Sequence, residues 1–343
     1  MPSGYELEGC VMDRRVRVVA VGFAGLLLVA GCSSSKSGSA TSATSGPATT
    51  SGTSEPTTAI TVGTAPTLSG TSFYLAAQDG IFAKNHLSAT PKVTTSGAEA
   101  IPLLLNGQIQ FTVSDAVGAI KAISQKLPLE IIAQGPIVSP DPAKDNSGLV
   151  VGSSITNVQD LAGKTVAVNA LGSFSELAAE KSIDSAGGDS SKVTFVELPI
   201  PQMAAAVKAG TVAGAAISEP FLSAAKADRL RDLMPILYGV FPHAPMLVYL
   251  ATTSYVSSHP QAVREFADSI AAADTALGEN PATLKSVGGS VAKMTVAQLA
   301  NSILPTYVSA PISLDALKTV MSVMVEYKVL TAPIDLTGHV YGT

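Results

Sequence analysis

The sequence predicts an α/β protein with two lobes, and three observations predict it. Apolar strand-like runs alternate with helical segments, which is typical of a parallel sheet covered by helices on both faces. This alternation occurs twice along the chain, which indicates two sheets. Two extended apolar runs, Leu149–Gly152 and Met246–Thr252, join the two sets. We therefore expect the chain to pass into the second lobe and back, with these runs as hinges.

The first set of elements opens with β-branched and apolar residues, which suit a pleated and buried surface. The predicted strands are Ala59–Gly63, Lys92–Thr95, Ile109–Val113 and Leu129–Ala133. The predicted helices are Ser72–Ala77, Ala98–Leu105 and Ala116–Ser124. Gly80 and Gly107 follow the first two helices, as expected where a helix ends in a left-handed turn.

The second set repeats this scheme, and mostly helices follow it. The predicted strands are Lys164–Val168, Val193–Glu197 and Ala213–Ile217, and the helices are Phe174–Ser185, Gln202–Ala209 and one from Pro220. Later helices are predicted at Pro260–Leu277, Val296–Leu304 and Leu314–Tyr327. These late helices are expected to complete the first lobe. We assign residues 59–150 and 248–343 to the first lobe and residues 151–247 to the second.

The N-terminal residues have the pattern of an export signal. Arg14, Arg15 and Arg17 precede the apolar run Val18–Ala30. This run is shorter than the roughly 20 residues that span a bilayer, so it fits a secretory signal. The sequence Leu-Val-Ala-Gly-Cys that ends at Cys32 resembles the lipobox of bacterial lipoproteins. It implies cleavage after residue 31 and lipid attachment to Cys32, with translation starting at Met1 or at Met12.

Residues 32–58 are expected to tether a folded body to the membrane. They consist almost entirely of Ser, Thr, Gly and Ala, which provide nothing to bury, so a flexible chain is predicted. A tether of this kind lets the body move above the bilayer while it stays attached. The same composition leaves open whether the tether carries sugars.

Composition excludes several classes of chemistry. Cys10 is the only cysteine besides Cys32, so the exported chain has neither a disulfide nor a free thiol. The net charge of −5, without a basic stripe, argues against a nucleic-acid partner. The four histidines are far apart, and no P-loop, G-x-S-x-G or H-E-x-x-H motif occurs. We expect no catalytic residue, no metal and no cofactor.

The helix starts are the most informative positions for a binding site. Polar residues recur directly after predicted strands, at Ser96, Ser114-Asp115, Ser173 and Glu219. In a parallel sheet these starts lie at the carboxyl edge of the strands, where open α/β sheets bind ligands. Helix starts also present free N–H groups and a positive dipole end. The pattern indicates a cleft for an anion or a polar head group.

A second interpretation of these residues is local capping. Each cap contributes about 1 kcal/mol to a helix without touching any ligand. Recurrence in both lobes favours the cleft, and Gly97 and Gly172 remove side chains where a ligand would approach the backbone. Glu219 fits either a helix cap or an acceptor for N–H groups of a ligand. Phe174 fits either the core or a surface that stacks on a flat ligand.

In this order and spacing, several short motifs resemble the periplasmic binding proteins of the nitrate, sulfonate, taurine and thiamine-pyrimidine-precursor group. The matching motifs are Phe73–Phe82, Ser96–Ala100, Leu105–Ile109, Ser114-Asp115, Asp160–Val168, Gly172-Ser173, Ala209–Ala216 and Glu219-Pro220. The resemblance implies a type II periplasmic binding protein fold, with a ligand cleft between the lobes and two hinge crossovers. It implies ligand contacts from the loops after the strands, at Thr67, Ser69, Ser96, Gly97, Ser114, Asp115, Gly172, Ser173 and Glu219.

The resemblance also implies a function, which is to capture a solute by lobe closure and deliver it to an ABC permease and ATPase. We expect a monomer that is lipid-anchored on the extracytoplasmic face of the membrane. We expect a small polar or anionic organic solute, either sulfonate- or nitrate-like or pyrimidine-like. The chain has no tryptophan and no arginine at a cleft motif, which argues against a simple sulfonate or nitrate, and Glu219-Pro220 resembles the pyrimidine-precursor branch more. The alternatives are an enzyme of the thiamine-pyrimidine-synthase type, whose relatives use cysteines that this chain lacks, and a surface interaction lipoprotein.

Overall fold

The computed structural model of the chain describes residues 56–94 and 97–342, and ten strands within these residues form two five-stranded sheets. The strands of the first sheet are β1 (Thr58–Thr64), β2 (Leu87–Val93), β3 (Phe111–Asp115), β4 (Leu129–Gln134) and β10 (Leu247–Thr252). Those of the second sheet are β5 (Ser147–Val151), β6 (Thr165–Val168), β7 (Thr194–Glu197), β8 (Gly214–Ser218) and β9 (Arg231–Pro235). The predicted signal peptide, Cys32 and the tether before residue 56 lie outside the described residues.

Both sheets are mixed, which corrects the expectation of purely parallel sheets. The strand orders are β2-β1-β3-β10-β4 and β7-β6-β8-β5-β9. β1 is parallel to β2 and β3, and β6 is parallel to β7 and β8. β10 and β5 run antiparallel to both of their neighbours. These two strands contain the apolar runs that the sequence indicated as connections. The chain enters each of them directly after it leaves the other sheet, and each strand therefore runs opposite to its neighbours.

Helices flank the strands in the predicted alternation. They are α1 (Thr71–Gln78), α2 (Ile81–Lys84), α3 (Gly97–Leu105), α4 (Ala116–Ser124), α5 (Phe174–Ser185), α6 (Ile200–Ala209), α7 (Phe221–Ala227), α8 (Thr253–Ser258), α9 (Pro260–Glu279), α10 (Pro281–Val291), α11 (Val296–Ala300) and α12 (Leu314–Glu326). The bounds of α4 and α5 equal the predicted ones. α9 and α10 pack on α1 beside the first sheet, whereas α12 contacts both α4 and α5.

The last third of the chain differs most from the prediction. α11 ends at Ala300, four residues before the predicted end. Pro305 disfavours helical geometry in Leu304, the residue before it, and α11 does not continue past its cap at Asn301. α10 was not predicted, because Gly288 and Gly289 lower its helix propensity. Its signal was the Asn280-Pro281 start, where the Asn280 side chain accepts from the N–H of Ala282 at 3.0 Å.

The chain crosses between the sheets over residues 135–146 and 236–246, just before the runs that we predicted as hinges. The two crossings lie side by side, and the N–H of Val138 donates to the carbonyl of Ala244 at 2.8 Å. Ile137 forms antiparallel bridges with both Pro245 and Thr306, and its N–H donates to the carbonyl of Thr306 at 2.8 Å. The buried Asp145 carboxylate accepts from the N–H of Leu237 at 2.8 Å, which ties one crossing to the other.

The core extends through both sheets. One buried apolar cluster includes Leu129 of the first sheet and Val166 of the second, together with Met321 of α12. A second cluster fills the other face of the first sheet, where Phe111 stacks on Phe266 of α9 with ring centroids 3.9 Å apart. The helix starts at the carboxyl edges are therefore attached to a packed apolar core.

Candidate functional site

The loop after β1 is the first predicted ligand loop. A 3-10 turn covers Leu68–Gly70, and Thr67 caps it by accepting a hydrogen bond from the N–H of Gly70 at 3.2 Å. Thr67 is exposed and Ser69 is half-buried. Both predicted residues thus lie at the carboxyl edge of the first sheet, just after Thr64.

A buried polar network that the sequence did not reveal supports this loop. The hydroxyl of Tyr307 donates to the carbonyl oxygens of Leu68 at 2.8 Å and Ser69 at 3.1 Å. Ser72 Oγ donates to Asp274, which is 1% exposed and has its pKa raised well above the ordinary value by burial. More than 200 residues separate the partners in each of these contacts, so no local pattern could indicate them.

Gly97 and Ser114 meet at the carboxyl edge of β3. A Cβ at Gly97 would overlap Ser114 Oγ, so only glycine fits there. Ser114 is 2% exposed, and its Oγ makes no hydrogen bond to any residue that the structure describes. The predicted neighbour Ser96 lies outside the described residues. An unpaired buried hydroxyl is costly, so Ser114 is a position at which a ligand group would be stabilised.

Asp115 connects the edges of the two sheets. Its carboxylate caps α4 by accepting from the N–H of Gly118 at 2.9 Å. The backbone N–H of Phe174, the first residue of α5 beside the second sheet, lies close enough to this carboxyl to lower its pKa. Burial raises the pKa of Asp115, and these N–H donors partly offset the rise.

The start of α5 has the S-x-x-E pattern of a capping box, in which Ser173 and Glu176 would each accept from the other's N–H, and the structure differs from it in one bond. Ser173 Oγ accepts from the N–H of Glu176 at 3.4 Å, as predicted. The Glu176 carboxylate, however, accepts from the N–H of Gly172 and not from that of Ser173. Lys121 of α4 approaches the same place, with Nζ 3.1 Å from the position of a Cβ on Gly172. Burial raises the pKa of Glu176, and the Gly172 N–H and the Lys121 charge oppose that rise.

The ring of Phe174 lies in the core. It is 5% exposed and packs on Phe241 with ring centroids 4.4 Å apart. The ring is therefore not free to stack on a ligand, because the crossing segment that carries Phe241 covers it. What Phe174 presents at the edge of the second sheet is its backbone N–H.

Glu219 forms a second contact between the region of the second sheet and a distant segment. Its carboxylate accepts from Ser223 Oγ at 2.7 Å and from the N–H of Ile303 at 3.2 Å. Ser223 Oγ also lies 2.9 Å from the carbonyl oxygen of Asn301 and donates to it. The N–H of Ser223, in the first turn of α7, also donates to this carboxylate at 3.1 Å, so Glu219 caps the helix, and its role as an acceptor for a ligand stays a prediction.

The predicted site residues form two groups. Gly97, Ser114, Asp115 and the α5 start come together through direct contacts, whereas Glu219 contacts the segment after α11. Lys121 is the residue of this site that sequence reasoning missed. The arginines lie elsewhere: Arg231 pairs with Val151 at the opposite edge of the second sheet, and Arg264 is exposed on α9.

A pocket of about 390 Å³ lies at the amino edge of the first sheet, away from the predicted site. Thr58, Gly107, Gln110 and Thr252 contribute to its wall, together with His259. The His259 ring stacks on Tyr255 with centroids 4.4 Å apart. Thr252 ends β10 and caps α8, and His259 precedes α9, so two helix starts line this pocket as well.

Residues 56–94 and 97–342 contain neither a cluster of metal ligands nor a helix that could cross a membrane. No three His, Asp or Glu side chains there converge as ligands for a metal ion. None of the helices in these ranges has both the length and the apolar character that crossing a bilayer requires.

Comparison with known proteins identifies the kind of scaffold. A model of the NMT1/THI5-like family matches residues 69–283. The alkanesulfonate-binding protein SsuA from Xanthomonas axonopodis pv. citri, solved with MOPS bound, is 18% identical with a TM-score of 0.70. That match covers 84% of this chain and 99% of that chain. No curated protein sequence matches the chain.

Two further solved structures extend the comparison. The periplasmic nitrate-binding protein NrtA from Synechocystis PCC 6803 is 13% identical with a TM-score of 0.68, over 82% of this chain and 84% of that chain. The desulfurization enzyme DSZB is 12% identical with a TM-score of 0.61, over 83% of this chain and 96% of that chain. At these identities the likeness concerns the fold, and it confirms the predicted fold class of a two-lobed periplasmic binding protein.

Proposed function

Because the chain belongs to the NMT1/THI5-like family, we propose that it is the solute-binding lipoprotein of an ABC-type importer. Its solute is a small polar organic molecule, either sulfonate- or nitrate-like or pyrimidine-like. One observation supports this most strongly: α4 packs on α5, and Lys121 Nζ of α4 lies 3.1 Å from the position of a Cβ on Gly172, just before α5, so the carboxyl edges of the two sheets meet there. Helix starts from both sheets thereby converge on one place, as a site that binds ligand between two bodies requires.

The proposed mechanism is closure of two bodies around the solute. The bodies are the first sheet and the second sheet, each with its flanking helices, and the two neighbouring crossings over residues 135–146 and 236–246 act as the hinge. A ligand shifts such an equilibrium only by its differential affinity for the closed state. Contacts to Gly97 and Ser114 on one side and to Gly172 and Ser173 on the other would exist together only when the bodies are closed.

We further propose that lipid on Cys32 holds the protein on the extracytoplasmic face of the membrane. The tether of residues 32–58 lets the body reach an ABC permease, and the ATPase subunit drives transport. The receptor acts as a monomer, without nucleic acid, metal or cofactor. Growing the host with an alkyne-labelled fatty acid tests the anchor: the wild-type chain should incorporate label, and Cys32→Ser should not.

Thermal unfolding with candidate solutes tests solute capture. A ligand at a hundred times its Kd stabilises the folded state by about 2.7 kcal/mol, which corresponds to a rise in Tm of about 5 °C or more. Methanesulfonate, nitrate and aminopyrimidines form the panel. Asp268→Asn, on the exposed face of α9, is measured beside the wild type and should respond to the solutes in the same way. The proposal fails if no small polar solute shifts the Tm of the wild-type protein.

Catalysis on the same scaffold is the second candidate, because the enzyme DSZB shares this fold. Glu219 is the acid to test, since it lies at the carboxyl edge of β8 and binds the segment after α11. An enzyme predicts turnover of a bound solute that Glu219→Gln abolishes while binding persists. A receptor predicts that the bound solute is recovered unchanged from both proteins.

A further inference from the structure

Residues 301–307 follow α11 and contact both bodies, and we call them the strap. The strap begins at the second body. The carboxylate of Glu219 accepts from the N–H of Ile303 at 3.2 Å, and Ser223 Oγ lies 2.9 Å from the carbonyl oxygen of Asn301. Glu219 follows β8 and Ser223 lies on α7, so both partners belong to the second sheet and its helices.

The other end of the strap is fixed to the first body. The hydroxyl of Tyr307 donates to the carbonyl oxygens of Leu68 and Ser69, and this tyrosine is 5% exposed. The carbonyl oxygen of Tyr307 lies 2.7 Å from the position of a Cβ on Gly278, so the strap packs directly on α9. Buried contacts therefore hold this end.

Between its ends the strap runs beside the hinge. The N–H of Ile137, in the first crossing, donates to the carbonyl of Thr306 at 2.8 Å, and the two residues form an antiparallel bridge. Two crossings alone leave the bodies free to rotate, because a hinge needs only a few residues that change their backbone angles. A third segment that is bound to both bodies opposes the rotation that separates them.

The attachment at Glu219 does more than cap a helix. Its Oε2 accepts from the N–H of Ser223, which is sufficient for the cap of α7. Its Oε1 accepts from the N–H of Ile303, 84 residues away along the chain, and from Ser223 Oγ. Asn301 is exposed, and Ser223 and Ile303 are half-buried. Water reaches these bonds, so they break more readily than the buried contacts of Tyr307.

We propose that the strap restrains the opening of the two bodies in the solute-free protein. Glu219 and Ser223 form its releasable attachment, and Tyr307 forms its fixed attachment. When the bonds to Asn301 and Ile303 break, α7 and the second sheet rotate about the crossings, while Tyr307 keeps the strap on the first solute loop. This inference rests on the proposed function and adds to its closure mechanism a restraint that acts without solute.

Distances between two spin labels, measured by pulsed electron paramagnetic resonance without solute, test the strap. The labels are attached at Val93→Cys, at the end of β2, and at Leu171→Cys, which follows β6. These positions are 62% and 55% exposed and lie on different bodies, at the carboxyl edges that opening separates. Cys10→Ser and Cys32→Ser leave the introduced cysteines as the only thiols of the full chain.

The variants in this labelled background are Glu219→Ala and Ser223→Ala. Thr252→Ala is the control, because it also removes a helix cap, at the start of α8 in the first body. Thermal unfolding verifies that each variant folds. If Glu219→Ala does not fold, Ser223→Ala decides against the same control.

Glu219→Ala should raise the ratio of long to short label distances about tenfold or more, since hydrogen bonds to charged groups are the strong ones. Ser223→Ala should give a smaller rise, because Glu219 keeps the bond from Ile303, and Thr252→Ala should match the wild type. Equal distributions for Glu219→Ala and Thr252→Ala overturn the inference, as does a wild type that already has mainly the long distance. The solute panel uses the unlabelled protein, so the proposed function and the strap can fail separately.

Discussion

The carboxylate of Asp115, at the start of α4, lies near the backbone N–H of Phe174, at the start of α5, and this N–H lowers the pKa of the carboxyl. The approach brings elements of the two sheets together at their carboxyl edges. Because the N–H belongs to the main chain and only proline would remove it, the acceptor side is the one to mutate. The same carboxylate also caps α4 through Gly118, so local helix stability and contact between the bodies depend on one residue.

Asp115→Ala should loosen the contact between the starts of α4 and α5 in the absence of ligand. Alanine removes the bond from Gly118 and the carboxylate beside the Phe174 N–H, and loss of the cap alone costs about 0.5–2 kcal/mol. We expect a larger radius of gyration by small-angle X-ray scattering and a lower Tm, with Asp115→Asn between alanine and the wild type. A scattering curve for Asp115→Ala equal to that of the wild type would show that this carboxylate does not hold the bodies together.

Ser223→Ala should release the segment after α11 from the second sheet. The hydroxyl of Ser223 bonds both Glu219 at 2.7 Å and the carbonyl of Asn301 at 2.9 Å. Without it, the amides near Asn301 should exchange hydrogen for deuterium about tenfold faster or more, because bonds to charged groups contribute about 1.5–3 kcal/mol. The exposed Ser257→Ala is the control, and exchange near Asn301 that is the same in both variants contradicts the prediction.

Tyr307→Phe should weaken solute binding although Tyr307 touches the ligand loop only from behind. Its hydroxyl holds the carbonyl oxygens of Leu68 and Ser69, and its loss costs about 1 kcal/mol of stability. The affinity for the solute should fall severalfold, because the turn capped by Thr67 becomes less fixed. Titration of the variant checks this, with Tyr238→Phe, an exposed tyrosine, as the matched control. Unchanged affinity would make the network purely structural.

Gly97→Ala should abolish binding and destabilise the fold. The new Cβ would overlap Ser114 Oγ and lie 2.9 Å from Ser114 Cβ, and overpacking of this kind costs about 1–3 kcal/mol. The double variant Gly97→Ala with Ser114→Gly removes the overlap, so it should recover stability but not binding, since the hydroxyl is absent. Unfolding in urea and titration of the two variants separate these effects. Full stability of the single variant would contradict the close approach.

Glu180 on α5 lies between acids, which makes it sensitive to pH. Burial, followed by the charges of Glu176 and Asp184, raises its pKa from 4.5 to about 7. Across the interface with α12, Tyr327 donates to Asp184 at 2.6 Å, and Lys181 pairs with Glu326 at 2.6 Å. Lys121 of α4 acts on neighbouring Glu176. The surroundings of Glu180 are thus mainly negative.

Stability should therefore fall as pH rises through the window between 4.5 and about 7. Across that window the folded state holds the Glu180 proton more tightly than the unfolded state does, so deprotonation disfavours folding. Glu180→Gln should remove this fall and be more stable than the wild type at pH 8, by about 1 kcal/mol after solvent screening. Both proteins should match near pH 4. Equal pH profiles for Glu180→Gln and the exposed control Glu279→Gln would refute the assignment.

The sequence predicted those features that local patterns determine. The bounds of α4 and α5 follow from caps at Asp115 and Ser173 together with apolar periodicity. Purely local rules could not reveal the antiparallel direction of β5 and β10, since direction depends on which sheet each strand enters. The strand β9 was missed because its residues, from Arg231 to Pro235, have no alternating apolar pattern.

The candidate site was predicted as positions rather than as contacts. Gly97 and Ser114 were both selected, but their direct approach depends on how α3 packs against β3. Lys121 was missed because it lies mid-helix and becomes relevant only when Gly172 comes near it. Phe174 was selected for its ring, whereas the structure buries the ring on Phe241 and presents the backbone N–H. Asp274 and Tyr307 act through partners more than 200 residues away.

β1 starts at Thr58 on the amino edge of the first sheet and ends at Thr64 on the edge that carries the solute loops. Seven extended residues cover about 20 Å. In the proposed lipid-anchored protein, the tether from Cys32 therefore joins the folded body on the side opposite the solute loops, about one strand length away from them. The 25 residues from 33 to 57, stretched out, measure at most about 90 Å. In the proposed lipid-anchored receptor, that length limits how far the folded body moves from its anchor, and the body has to rotate before its solute loops face a permease.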